Sequence, residues 1–207
     1  MKSAGSKAHW EGVYATKAEQ DVSWFQPSPT LSLELIAGLG PAADTGVIDI
    51  GGGASRLVDE LLAKGFETIA VLDLSEKALA VAKARLGGPA ARVRWINADV
   101  TTWQPSGTYD IWHDRAALHF LTDERDQEAY VSRLRQTVKI GGHAIIATFA
   151  PDGPEKCSGL PVLRHSPESL AAMLGDDFTL IESRHLEHCT PWGTKQSFQY
   201  SLFRHDA

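Results

Sequence analysis

Apolar and polar positions fall into blocks whose period changes along the chain. Residues 30–39 (TLSLELIAGL) space their apolar side chains as a helix does, after a proline-rich entry. Residues 46–50 form a short apolar run carrying one acid, Asp49, and predict a strand. Ser55 to Lys64 predicts a helix with Leu57, Val58, Leu61 and Leu62 on one side and Gly65 as its stop. ETIAVLDL then predicts a buried strand. SEKALAVAKARL predicts a helix opened by Ser75 and broken by Gly87-Gly88-Pro89. RVRWI and YDIWH read as a third and fourth strand, residues 123–137 as a charged amphipathic helix, and VKIGGHAIIATFA as a turn plus a fifth strand.

After residue 150 the pattern changes. PDGPEKCSGLPVLRH is a Pro/Gly-rich loop. SPESLAAML predicts a helix capped by Ser166, with Ser169 at the reciprocal position. FTLIESRHLEH and QSFQYSLFRH predict an antiparallel strand pair at a sheet edge. The repeated strand–helix order predicts an α/β fold: a Rossmann-like, doubly wound, seven-stranded and mostly parallel sheet with an antiparallel C-terminal strand. The expected organisation is one domain over 1–207. An N-terminal aromatic segment (1–29) precedes a core (30–150) and a final loop, helix and strand pair (151–207).

Composition narrows the classes. Of 207 residues, 43% are hydrophobic and 22% charged, which suits a globular domain. The net charge of -6 and the lack of a basic stripe argue against a nucleic-acid partner. The first residues lack a signal-peptide run, and no segment has the roughly 18 apolar residues of a membrane span. Two cysteines, Cys157 and Cys189, are too few for a disulfide framework, so a reducing cytoplasm is expected.

The stretch VIDIGGGAS (47–55) sits where an open α/β sheet binds ligands, at the carboxyl end of a strand. Glycines there turn tightly and let a ligand approach the backbone. The dinucleotide pattern G-x-G-x-x-G is incomplete: Gly51 and Gly53 are followed by Arg56 at the third glycine position. Asp49 would repel a pyrophosphate but can face an ammonium group. Asp73, about 20 residues on and followed by Leu74, is placed to bind ribose hydroxyls, or else to cap the next helix. Ala98, Asp99 and Val100 follow the third strand, where a short polar pair can meet an adenine edge.

The ordered set VIDIGGGAS, VLDLS, INADV, YDIWHDRAALHFL and IGGHAIIATF resembles the class I S-adenosylmethionine-dependent methyltransferases. The resemblance implies S-adenosylmethionine as cofactor, with S-adenosylhomocysteine as product. It implies Asp49, Gly51 and Gly53 around the methionine moiety, Asp73 on the ribose, and Ala98 with Asp99 at adenine. Ser55 departs from the fuller glycine pattern of that family.

WHDRAAL, at the end of the fourth strand, is similar to the WDRGAL-type motif of thiopurine and related thiol methyltransferases, with an added His113 and with Ala116 for glycine. HWEGVY…DVSWFQPSP resembles their tryptophan-rich entry segment. That implies Trp10, Tyr14, Trp24 and Phe25 as a cap over the site, though the same rings can instead pack a helix on the sheet. Methyl transfer from a sulfonium is an in-line displacement that needs alignment and desolvation more than a base. Where a base is needed, His113 and His119 are the candidates, against hydrogen-bonded structural roles for both. Asp114 and Arg115 are expected to form an ion pair, either shaping the pocket or on the surface. Cys157 and Arg164 in the long loop are candidate acceptor contacts. His185 and His188 point to opposite faces of a strand, so no metal site is assigned.

The expectation is a small-molecule acceptor, with a thiol or other soft nucleophile ahead. A protein lysine methyltransferase and a non-catalytic S-adenosylmethionine-binding protein are the alternatives. A nicotinamide dehydrogenase conflicts with Asp49 and Arg56.

Overall fold

The computed structural model describes residues 7–206; the first six residues of the predicted N-terminal segment, and Ala207, lie outside them. Five parallel strands run side by side in the order β3-β2-β1-β4-β5: β1 (Gly46–Ile50), β2 (Thr68–Asp73), β3 (Val93–Asn97), β4 (Tyr109–Arg115) and β5 (Val138–Phe149). β9 (Lys195–His205) pairs antiparallel with β5, and β8 (Phe178–Cys189) pairs antiparallel with β9 and closes the edge. The sheet has the seven strands and the reversed terminal pair that the sequence predicts.

Strand alternation divides the core into two layers. Val47, Ile69, Val71 and Ile111 face helices α2 (Thr30–Gly38) and α3 (Leu57–Ala63). Ile48, Ala70, Leu72 and Trp112 face α5 (Glu124–Thr137) and α6 (Pro167–Leu174). The strands are apolar on both faces, as a doubly covered parallel sheet requires. Local rules place the helix ends. Ser75 accepts the Ala78 N–H at the start of α4 (Glu76–Leu86), Asp123 accepts the Arg125 N–H at the start of α5, and Ser166 with Ser169 forms a reciprocal cap on α6. α3 starts two residues later than expected. Ser55 spends its hydroxyl on the Leu57 N–H, 3.2 Å away, and so holds the chain in a turn.

Strand order reverses between β1 and β4, so their carboxyl ends open a crevice. Two segments cover it. Helix α1 (Lys7–Thr16) crosses the rim: Glu11 accepts the Glu76 N–H at 2.7 Å, Lys7 reaches Asn97 at 2.9 Å, and His9 meets Ser158 at 3.2 Å. The Pro/Gly-rich loop is partly ordered as a short hairpin, β6 (Lys156–Cys157) and β7 (Leu160–Pro161). No described helix is long and apolar enough to cross a membrane.

Candidate active site

The crevice holds two compartments with a common border of Tyr14, Trp24, Gly51 and Arg115. The first compartment is mostly apolar. Leu72, Leu74 and Val100 line it beside the carboxylates of Asp73 and Asp99, and Trp10, Phe120, Leu121 and Cys157 form its far wall. The second is polar. Asp49, His113, Arg56 and Glu19 line it, with Phe25 and Gly52.

The glycine turn makes room for protein groups before any ligand. A Cβ on Gly52 would lie 2.4 Å from Asp49 Oδ2, and one on Gly53 would lie 2.8 Å from Asp73 Oδ2. Gly51 has φ 65°, and a Cβ there would meet Ala117 Cβ at 2.7 Å. Three adjacent glycines thus admit two carboxylates and the turn after β4. Asp73 accepts the Ser75 N–H at 2.7 Å. Burial pushes its carboxyl up to about 7, with the Asp49 and Glu11 charges adding. Gly53 and Ala98 do not themselves line either compartment; Gly53 backs Asp73, and the Ala98 N–H donates to the Asp73 carbonyl.

The Asp49 carboxylate and His113 lie side by side because the β1–β4 register pairs those two residues. His113 Nδ1 is 2.7 Å from Asp49 Oδ1 and its Nε2 is 2.8 Å from Ser32 Oγ. With both ring nitrogens engaged, His113 has none left for an acceptor's proton. Of the two roles expected for His113, base or hydrogen-bonded structural residue, the geometry fits the second.

His119 fits neither of the two roles expected for it, base or hydrogen-bonded structural residue. It is fully buried against the rings of Phe120 and Phe149, lines neither compartment, and leaves both ring nitrogens without a partner. Burial drives its pKa down to about 3. A base must reach the proton it removes, and His119 reaches no pocket.

Asp114 and Arg115 do not form an ion pair. Adjacent strand residues face opposite layers. Asp114 turns toward α5, where it accepts from the Tyr130 hydroxyl and the Ala117 and Leu118 N–H groups. Burial raises its carboxyl to about 6 against those donors. Arg115 turns to the other layer. Its Nε donates to the Tyr200 hydroxyl at 3.0 Å and its Nη1 to the Trp24 carbonyl at 2.9 Å; its buried Nη2 has no partner. The guanidinium lies over the Phe198 ring at 4.8 Å.

Arg164 is also misplaced by the sequence reading: it bonds Gly153 and Glu155 on the outer side of the loop and lines neither compartment. Cys157 does line the first, and burial raises its thiol to about 11, so it is a neutral, apolar wall. Trp10 packs edge-on against Trp24 and Phe120, and the Trp24 indole N–H donates to the Tyr14 hydroxyl at 3.3 Å, while all three rings line the crevice. Phe25 stands apart from them. It borders the polar compartment under Arg56.

Sequence reasoning missed Ser32, Phe120, Leu121 and Ala117. Their part depends on which element covers which strand end, and no local signal carries that. Ala116 was legible: it replaces a motif glycine and adopts φ 70°, where glycine is at ease.

The donor set describes its ligand. One carboxylate sits where paired hydroxyls can reach it, an apolar slot adjoins a second carboxylate, and a third stands in a polar compartment across a bare backbone. An adenosine with an amino-acid tail carries a matching group for each. The family model for a "Methyltransferase domain" matches residues 47–142. The match runs from β1 through the glycine turn and β4 to the start of β5.

The chain is similar to proteins of several kinds. The eEF1A lysine and N-terminal methyltransferase of Mus musculus is 24% identical over 156 residues, covering 72% of this chain and 22% of that protein. The chain thus spans about a fifth of that curated relative's length. Among solved structures, the N-methyltransferase NodS of Bradyrhizobium japonicum WM9, in complex with S-adenosylhomocysteine, superposes with a TM-score of 0.73 at 15% identity, covering 98% of this chain and 100% of that one. The 1,6-didemethyltoxoflavin-N1-methyltransferase of Burkholderia thailandensis, with its substrate and S-adenosylhomocysteine bound, gives 0.71 at 22% identity, covering 97% and 87%. The chain shares the fold of these two solved structures.

Proposed function

We propose that the protein transfers a methyl group from S-adenosylmethionine to a small, electron-rich acceptor, with a thiol or other soft nucleophile favoured. When bound, the cofactor supplies an electrophilic sulfonium methyl. The chain's own residues do the rest. Asp73 accepts the ribose hydroxyls, Leu74 and Val100 hold the adenine with Asp99 at its edge, and Asp49 receives the ammonium. Tyr14 and Trp24 border both compartments, so they flank the junction and keep water from it. The carboxylates of the first compartment, Asp73 and Asp99, are given to the cofactor, which leaves no other ready base among its lining side chains and suits an acceptor that needs none.

Arg115 carries the choice of acceptor. It is a guanidinium at the junction, with a buried nitrogen lacking a partner and no carboxylate paired to it among the described residues. A buried cation favours an anionic or lone-pair-rich partner and disfavours a second cation. A lysine ammonium would enter against it.

Supplying thiols, selenides, phenols and amines with the cofactor, and measuring S-adenosylhomocysteine release, tests this reading. Turnover with a thiol or phenolate, falling at least about tenfold in Arg115→Met, is expected. Turnover confined to amines would overturn it. The lysine reading rests on the similarity to the eEF1A methyltransferase. Tritiated cofactor incubated with a cell lysate separates the two, since label in protein-sized bands would establish a protein acceptor.

A further inference from the structure

Ser32, His113 and Asp49 form an unbroken chain that ends at the polar compartment. Asp49 Oδ1 is 2.7 Å from His113 Nδ1, and His113 Nε2 is 2.8 Å from Ser32 Oγ. Their exposures are 3%, 2% and 0%. An ionised carboxylate only accepts, so His113 carries its proton on Nδ1, and its Nε2 accepts from the Ser32 hydroxyl. Both ring nitrogens and the Ser32 hydroxyl are then engaged, and Asp49 Oδ2 is left free.

We infer that Ser32 and His113 are positioning residues that aim the Asp49 carboxylate at the amino group of the cofactor's amino-acid tail. Four observations carry this. The β1–β4 register sets Asp49 beside His113 on one face of the sheet, and Ser32 comes from α2, which covers that face. Gly52 lacks a Cβ where one would lie 2.4 Å from Asp49 Oδ2, so the free oxygen stands against the turn that lines the compartment. Asp49 pairs with no lysine or arginine; His113 is its partner among the described residues. The compartment also holds Arg56, which is paired with Glu19 through Nη2 but keeps a buried, unpartnered Nε, so one space presents an anion and a cation to a zwitterion. A buried carboxylate without a cation is costly, and a carboxylate free to rotate would lose its aim. His113 and Ser32 remove that freedom without neutralising the charge.

The inference rests on S-adenosylmethionine being the cofactor, and the test separates the two ideas. Binding of S-adenosylhomocysteine, which has the tail, is compared by calorimetry with binding of 5′-methylthioadenosine, which lacks it. The wild type should bind the tailed ligand more tightly. His113→Leu should lose about tenfold or more for S-adenosylhomocysteine and nothing for 5′-methylthioadenosine. His113→Asn, whose amide keeps a donor near the place of Nδ1, should recover most of that loss. Ser32→Ala should lose about three- to tenfold on the tailed ligand alone. If His113→Leu fails to fold, Ser32→Ala and His113→Asn decide. Equal losses on both ligands, unchanged affinity in Ser32→Ala, or a wild type indifferent to the tail would overturn the relay. A wild type that binds neither ligand would instead overturn the proposed cofactor.

Discussion

The two halves of the crevice responded differently to sequence reasoning. On the β1–β3 side, Asp49, Gly51, Asp73, Leu74, Asp99 and Val100 line the compartments, while Gly53 and Ala98 stand behind Asp73. On the β4–β5 side, His119 and Arg164 do not line them, His113 has both nitrogens engaged, and Asp114 and Arg115 part to opposite layers. The first half depends on what lies next in the chain: a strand end, a turn, a helix cap. The second depends on which face each side chain takes and what covers it.

The comparison breaks most sharply at the glycines. Gly53→Ala should push the Asp73 carboxylate aside and lower S-adenosylhomocysteine affinity by more than about tenfold, because the new Cβ would lie 2.8 Å from Oδ2 at φ 43°. Gly65→Ala, equally left-handed at φ 87° but with nothing within 4 Å, should lower stability and leave affinity alone. Equal affinity losses in both variants, measured by calorimetry, would mean that the turn needs glycine for backbone freedom only.

Asp73→Asn is next, with an expected loss of about 1–3 kcal/mol in cofactor binding. Its folded-state pKa is raised to about 7, so the wild type's carboxylate takes up a proton as pH falls through that value. Cofactor affinity should therefore drop from pH 8 to pH 6, and Asp73→Asn should flatten the profile. An unchanged slope would remove Asp73 from the ribose role.

His119→Phe sharpens the other half. Turnover should survive, since His119 lines no compartment. The histidine's pKa is lowered in the fold to about 3, so the unfolded chain binds the proton first. Its share of stability is whole above about pH 6.5 and is lost progressively as pH falls toward 3. The phenylalanine variant should lose less stability over that window in denaturant titrations. A lost activity with intact folding would restore His119 to the chemistry.

The smallest effect is expected at Ala116→Gly. Relief of the left-handed strain, about 1–2 kcal/mol, should outweigh the entropy cost of glycine, about 0.5–1 kcal/mol. A slight rise in melting temperature is expected; a fall would mean that the Ala116 methyl group, which lines the first compartment, contributes packing.

The sequence by itself determined the strand and helix order, the reversal at the sheet edge, the caps at Ser75 and Ser166, and the acids of the cofactor side. Each follows from period, capping chemistry or distance along the chain. Only the tertiary structure decided that Asp49 and His113 meet, that Ser32 completes their chain, that the Arg115 guanidinium enters the crevice while Asp114 leaves it, and that His119 is sealed in the core. Those outcomes turn on strand register and on which layer covers each strand end. A shift of one residue reverses every side chain on a strand, and the order of residues alone does not fix it.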